Sequence, residues 1–330
     1  MSINKNKMSR VTFYIDGTDL TNSTGVWQDE NLTICAPEGY YSDSNEGGDI
    51  VRFLSHEGGL CVLEAREPCP GCLSPCGSEI TPGTLKQGYY SLTFSTGSSL
   101  GATVIYFDPQ SIPDGIRVTH DGTVYNAIAS EDYGYSSSSN PGNFVLIGDS
   151  THTGSCTGSG AGDLEGTYTL DEYVWSGTSF SPTEGEKIVT IDAGDVDLSP
   201  DDPGFGAIVI PKISNATSQL PVTIEMIGVC GSTRFNVEAR CPIALTGIPT
   251  SNAGADCSTA TYPNTYYNVP KYSRRANNAA YGDPEENEWF FQDANGETVV
   301  ADGVYKVDDG ATGKLLTVAN GVITTVSTCP

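Results

Sequence analysis

The sequence predicts an all-β protein: a central, jelly-roll-like β-sandwich flanked by two small related β modules. Three observations predict it. Runs of β-branched and aromatic residues, among them YYSLTF, ATVIYF, GIRVTH, KIVTID, GAIVIP, PVTIEMIG and RFNVEA, alternate with clusters of Gly, Pro, Asn and Asp, the pattern of short strands joined by tight turns. No convincing helical period intervenes. Finally, one stretch is written twice: WQDENLTICAPEGYY from Trp27 to Tyr41 and FQDANGETVVADGVY from Phe291 to Tyr305.

The two copies align without a gap, placing Gln28 on Gln292, Asp29 on Asp293, Asn31 on Asn295, Gly39 on Gly303 and Tyr41 on Tyr305, and each runs on to a Cys-Pro, Cys69-Pro70 or Cys329-Pro330. The repeats divide the chain into modules at residues 9–78 and 256–330 around a sandwich at 79–242. In each repeat the Asn and Asp residues suit a turn that bonds its own main chain, and Gly39 and Gly303 give freedom before a tyrosine strand. Asn320-Gly321, inside VANGVITTV, is a two-residue hairpin signal. Modules this small bury little surface alone and need neighbours, metals, disulfides or oligomerisation. In the sandwich, GATVIYFDPQSIPDGIRVTHDGTVYNA reads as strand, Pro113-Asp114-Gly115 turn, strand, Asp121-Gly122 turn and strand. VTIEMIGVCGSTRFNVEARCP reads as a closing hairpin.

Composition narrows the function classes. The 330 residues carry 16 Lys and Arg against 41 Asp and Glu, a formal net charge of -25, which repels phosphate backbones and anionic membrane surfaces. Neither nucleic acid nor membrane insertion is expected as a partner. The opening MSINKNKMSRVTFYIDGTDL lacks an apolar core of signal-peptide length, so ordinary export is not expected. A composition suited to the outside without an export signal fits a particle assembled in a host cytoplasm and released by lysis.

The stretch SIPDGIRVTHDGTVYN resembles a hairpin of bacterial and phage jelly-roll modules. Together with DENLTICAPEGYYSD, CPGC, GVCGSTRFNVEARCP and NGVITTVSTC, the chain resembles structural proteins of tailed bacteriophages, in particular those of Bacteroidota and aquatic bacteria. The resemblance implies a virion component of the fibre, tail or capsid-decoration type, with copies of itself and other virion proteins as partners. Its motifs are turns and strands, and they imply no catalytic residue.

Ten cysteines leave three readings open: disulfides, zinc and, close behind, ordinary buried thiols. Cys61, Cys69, Cys72 and Cys76 could supply four thiolates to zinc, while disulfides, which come ahead of zinc here, suit a particle exposed to oxidising water. Cys230 and Cys241 flank the expected closing hairpin and form one candidate pair. In DAGDVDLSPDDPG, Asp192, Asp195 and Asp197 are candidate calcium ligands, set against a solvated turn, which the lack of a fixed ligand spacing favours. His56, His120 and His152 fall in no recognisable catalytic motif, and no enzyme and no cofactor are expected. Assembly through subunit contacts is the leading expectation. The alternative is a glycan-binding adhesin that holds host-surface sugar on Tyr133 and Trp175, with Tyr135 and Tyr173 nearby in sequence.

Overall fold

A computed structural model describes residues 12–330 apart from 19, 21, 42–49, 57–58, 69–73, 81–85, 132–133, 150–160, 176–178, 200–204, 217–218, 220, 232, 272–282 and 309–312. The described chain is all-β, with 3-10 turns as its only helical elements. It forms two compact units, Met1–Leu73 and Ser74–Pro330.

In the first unit Tyr14–Ile15 pairs with Val26–Trp27, and Gly39–Tyr41, Ile50–Ser55 and Val62–Pro68 form a three-stranded antiparallel sheet. Its core is small: Leu20, Val26, Ala36, Leu54 and Leu63. Two devices compensate. The Arg52 guanidinium donates to the backbone carbonyls of Leu20, Ser23, Leu63 and Glu64 at 2.7–2.9 Å, tying three chain segments together through charge-assisted bonds. A Cys35–Cys61 disulfide, with Cα atoms 5.5 Å apart, closes the other side.

The second unit contains the sandwich. One sheet runs in the order Phe180–Ile191, Gly166–Trp175, Gly88–Ser95, Pro221–Gly228, Asp114–His120, Val145–Asp149, Val196–Ser199. The other runs Gly134–Ser137, Ala127–Ser130, Gly206–Lys212, Gly101–Asp108, Asn236–Ala239, Ser78–Ile80. Period-2 alternation drives the packing: Tyr90, Leu92 and Phe94 of one sheet meet Ile105, Phe107, Ile208 and Ile210 of the other in a single core. Most pairings are antiparallel. Three in the first sheet are parallel, Val145–Asp149 with Val196–Ser199 and both Gly166–Trp175 and Ser74–Pro75 with Gly88–Ser95, a departure from the wholly antiparallel hairpin logic of a jelly roll.

The strand Gly101–Asp108 is buried at every position, so both of its faces are covered. Ile105 and Phe107 point into the sandwich, whereas Ala102, Val104 and Tyr106 form a second core with Ala207, Val209, Val269, Trp289, Phe291 and Val322. Those last four residues belong to a closed six-stranded barrel built from Gly247–Thr250, Asn264–Val269, Trp289–Phe291, Val322–Thr328, Lys314–Ala319 and Gly303–Val307. The C-terminal module is therefore seated on the outer face of the second sheet, within one compact unit. It also begins at Gly247, upstream of the expected 256. The GIPT stretch looks like linker because of its Gly and Pro, yet Ile248 and Thr250 alternate inward and are buried.

The two-residue turns form as expected. Asp121 and Asn320 take positive φ of 46° and 52°, each followed by a positive-φ glycine, and the flanking pairs are His120 with Thr123 and Ala319 with Val322. Two expectations are corrected. Asp114 and Gly115 open a strand, because the fully buried Asp114 carboxyl is gripped by the Thr233 hydroxyl. Pro221–Gly228 and Asn236–Ala239 lie in different sheets, so they are not a hairpin and Cys230 does not bridge to Cys241. Cys241 is bonded to Cys76, with Cα atoms 4.9 Å apart, and Cys257 is bonded to Cys329.

Candidate functional site

The repeated stretch folds the same way twice. Asp29 and Asp293 each turn a carboxylate onto their own loop: Asp29 accepts from the Thr33 and Ile34 amides, and Asp293 from Asn295, Glu297 and Thr298. Hydrogen bonds from Thr33 hold the Asp29 carboxyl below the usual carboxylate range, against a smaller opposing effect of burial. Gln28 Nε2 donates to the Cys35 carbonyl at 2.8 Å, as Gln292 Nε2 does to Val299 at 3.0 Å. Tyr41 bonds the Pro37 carbonyl and Tyr305 that of Ala301, at 2.8 and 2.9 Å. Even the distal contact is kept: Glu38 accepts from the His56 amide and Asp302 from that of Asn320.

The copies differ where they meet their surroundings. Gly296, at φ 71°, lies so close to the second sheet that a Cβ would come within 2.9 Å of Val209 Cγ1 and 3.4 Å of Ala102. The matching residue in the first unit is Leu32, held at φ 56°, a left-handed conformation that costs a non-glycine residue about 1–2 kcal/mol. Beside it, Ile34 and Leu60 are 55% and 69% exposed; they adjoin the two ends of the Cys35–Cys61 bridge. That bridge stands where the barrel has Val299 packed against Gly321. Leu32→Gly should stabilise the first unit by about 1 kcal/mol by relieving the left-handed strain. Urea unfolding followed by fluorescence of the nearby Trp27 would register the gain, and a loss instead would show that the Leu32 side chain packs as part of the unit's core.

In the second unit the barrel's copy of the loop walls a cleft of about 500 Å³. The opposite wall is the hairpin end from His120 to Ala127, with Ile208, Val209 and Pro211 of the second sheet between them. Trp289, buried and donating from Nε1 to the Ala207 carbonyl at 2.6 Å, fixes the distance between the two walls. His120 is 3% exposed. Its Nδ1 lies 3.2 Å from the Pro221 carbonyl, which can only accept, so Nδ1 carries the proton and Nε2 is left as an acceptor. That Nε2 is buried without a partner. Burial lowers the His120 pKa, with the Pro221 contact opposing it. Burial, and after it the charges of Asp121 and Glu297, raises the Tyr125 hydroxyl pKa.

The residues singled out in the sequence fare differently. Cys61 and Cys76 are bonded to Cys35 and Cys241, so Cys61, Cys69, Cys72 and Cys76 cannot form one tetrahedral thiolate set; Cys69 and Cys72 lie outside the described residues. No free cysteine remains among those described. Nor do Asp192, Asp195 and Asp197 converge on a cation: Asp195 is buried, accepting from Ser138, from Asn143 Nδ2 at 3.0 Å and from the Asp192 amide at 2.9 Å. Burial raises the Asp197 pKa, opposed by a Ser136 hydrogen bond, the reverse of what a metal ligand needs. Among the described residues no three His, Cys, Asp or Glu are grouped to hold a metal. Trp175 is half-buried against the sandwich core, its ring 5.1 Å from Phe180, and Tyr173 stacks on Tyr90 at 4.8 Å. Both pack the sandwich, and Tyr133 lies outside the described residues. Tyr135 packs edge-on to Trp289 at 5.7 Å.

Sequence reasoning missed the cleft. His120, Asp121 and Tyr125 were visible only as a hairpin, and nothing in the sequence joined them to Glu297 and Val299, because the barrel's seat on the sheet creates that proximity. No protein-family model, no curated protein and no solved structure matches this chain.

Proposed function

We propose that this protein is a structural subunit of a bacteriophage particle, of the fibre, tail or capsid-decoration type, and that it assembles by subunit contacts through its N-terminal module. The observation that carries the reading is the module built twice, with one copy seated on the sandwich and the other carrying the exposed apolar residues Ile34 and Leu60. The C-terminal copy's docking face is filled by its own chain, so the task of joining a neighbour rests on the N-terminal copy. Leu32, retained at a strained position, adds an apolar side chain to that face. The natural occupant is another copy of this chain, in a head-to-tail contact that propagates. The disulfides support a working life in oxidising surroundings.

Sedimentation of the purified chain, together with electron microscopy of particles labelled by an antibody to the sandwich, tests the reading. Concentration-dependent self-association and label at a regular position on a capsid, tail or fibre are expected. Replacing both Ile34 and Leu60 by Asp should return the protein to monomer without lowering its melting temperature. Monomers at every concentration and no labelled particle would remove the reading.

A further inference from the structure

The cleft between hairpin and barrel is a built cavity whose lining has an uneven chemistry. Its volume, about 500 Å³, lies within the usual range for small-ligand sites. Val124, Ile213 and Val299 are 36%, 49% and 42% exposed, so it offers apolar surface to whatever enters. The polar groups mostly accept. Asp121 and Glu297 are exposed carboxylates, while His120 lies behind them with its Nε2 enclosed by the protein. Among the described residues no lysine or arginine lines the cleft.

These features select a ligand that brings hydroxyl donors on one side, an apolar face on the other, and no negative charge. We propose that the cleft binds a neutral pyranose unit of a glycan. The Tyr125 ring, which packs in part on the sandwich core and lines the cleft, offers its remaining surface to the C–H face of the sugar. The two carboxylates accept from ring hydroxyls. Sialic and uronic acids are turned away by the same carboxylates, since among the described residues no lysine or arginine lines the cleft to neutralise them. Gln219 braces the rim by donating from Nε2 to Asp121 Oδ2 at 3.1 Å, and the Asp293 carboxylate fixes the Glu297 amide at 3.0 Å, so both acids stand on ordered backbone before the ligand arrives. The site lies within one compact unit, and its occupancy does not depend on the assembly proposed above.

The test is a glycan array probed with the full chain, carrying neutral, acidic and amino-bearing oligosaccharides, followed by calorimetric titration of the best neutral binder. Saturable binding of neutral glycans is expected. Losing a hydrogen bond to a charged acceptor amounts to roughly 10-fold or more in affinity, so Asp121→Asn and Glu297→Gln should each weaken binding by about that factor, and Tyr125→Ala by at least as much. Asp121 and Glu297 are exposed, so their variants should keep the parent melting temperature and separate lost binding from lost fold. No neutral glycan bound at millimolar concentration, a preference for acidic or amine-bearing ligands, or binding indifferent to all three substitutions would overturn the proposal.

Discussion

Trp289→Ala should destabilise the second unit by about 3–5 kcal/mol, the range for removing a large aromatic from a packed core. The residue is 6% exposed and sits where the barrel meets the second sheet, stacked on Phe291 at 6.0 Å and edge-on to Tyr135 at 5.7 Å. Removing it opens a cavity within the core shared by barrel and sheet, and it leaves the Ala207 carbonyl without the indole donor at 2.6 Å. Trp289→Phe retains a ring and much of the packing but not the hydrogen bond, so it should cost only about 1–2 kcal/mol. Urea unfolding followed by circular dichroism distinguishes the two. A loss below about 1 kcal/mol for the alanine variant would mean that the apolar faces of Val104, Tyr106 and Val209 hold the barrel without the tryptophan.

The seat of the barrel also explains what could be read in advance. Short-range chemistry was legible: Asp121-Gly122 and Asn320-Gly321 form the turns their residue types demand, because left-handed φ at two successive positions is a local requirement. The repeat was legible for a similar reason, since Asp29 and Asp293 spend their carboxylates on their own loops and so keep a spacing that survives as sequence. Long-range placement was not. Gly101–Asp108 carries an unbroken apolar run that signals burial on both faces, but the run does not say what covers the second face. Cys230 and Cys241 lie near each other in sequence and are separated by a crossing between sheets. Trp175 and Tyr173 have the residue types of a sugar platform, yet their neighbours Phe180 and Tyr90 come from pairings outside sequence reach.

Cys76–Cys241 is where that long-range placement has its largest energetic effect. The bridge closes a loop with a sequence separation of 165, for which the chain-entropy relation gives about 5 kcal/mol of stabilisation. It spans two strands that already pair, Val237 with Ile80, and the Gly77 amide bonds the Ala239 carbonyl at 2.6 Å. The native sheet thus holds the two segments together with or without the covalent link, and the link acts mainly on the unfolded chain. The double variant Cys76→Ala/Cys241→Ala should therefore fold to the same sheets and lose about 4–5 kcal/mol in denaturant, seen through Trp175 and Trp289 fluorescence. Cys35–Cys61, with a separation of only 26, predicts a smaller loss of about 3.5 kcal/mol, confined to the first unit and to Trp27. Dithiothreitol should reproduce both losses in the parent protein and a chelator should reproduce neither, since the Cys61 and Cys76 sulfurs are bonded to those of Cys35 and Cys241 rather than to a shared zinc. Sensitivity to the chelator with indifference to the reductant would reverse that assignment.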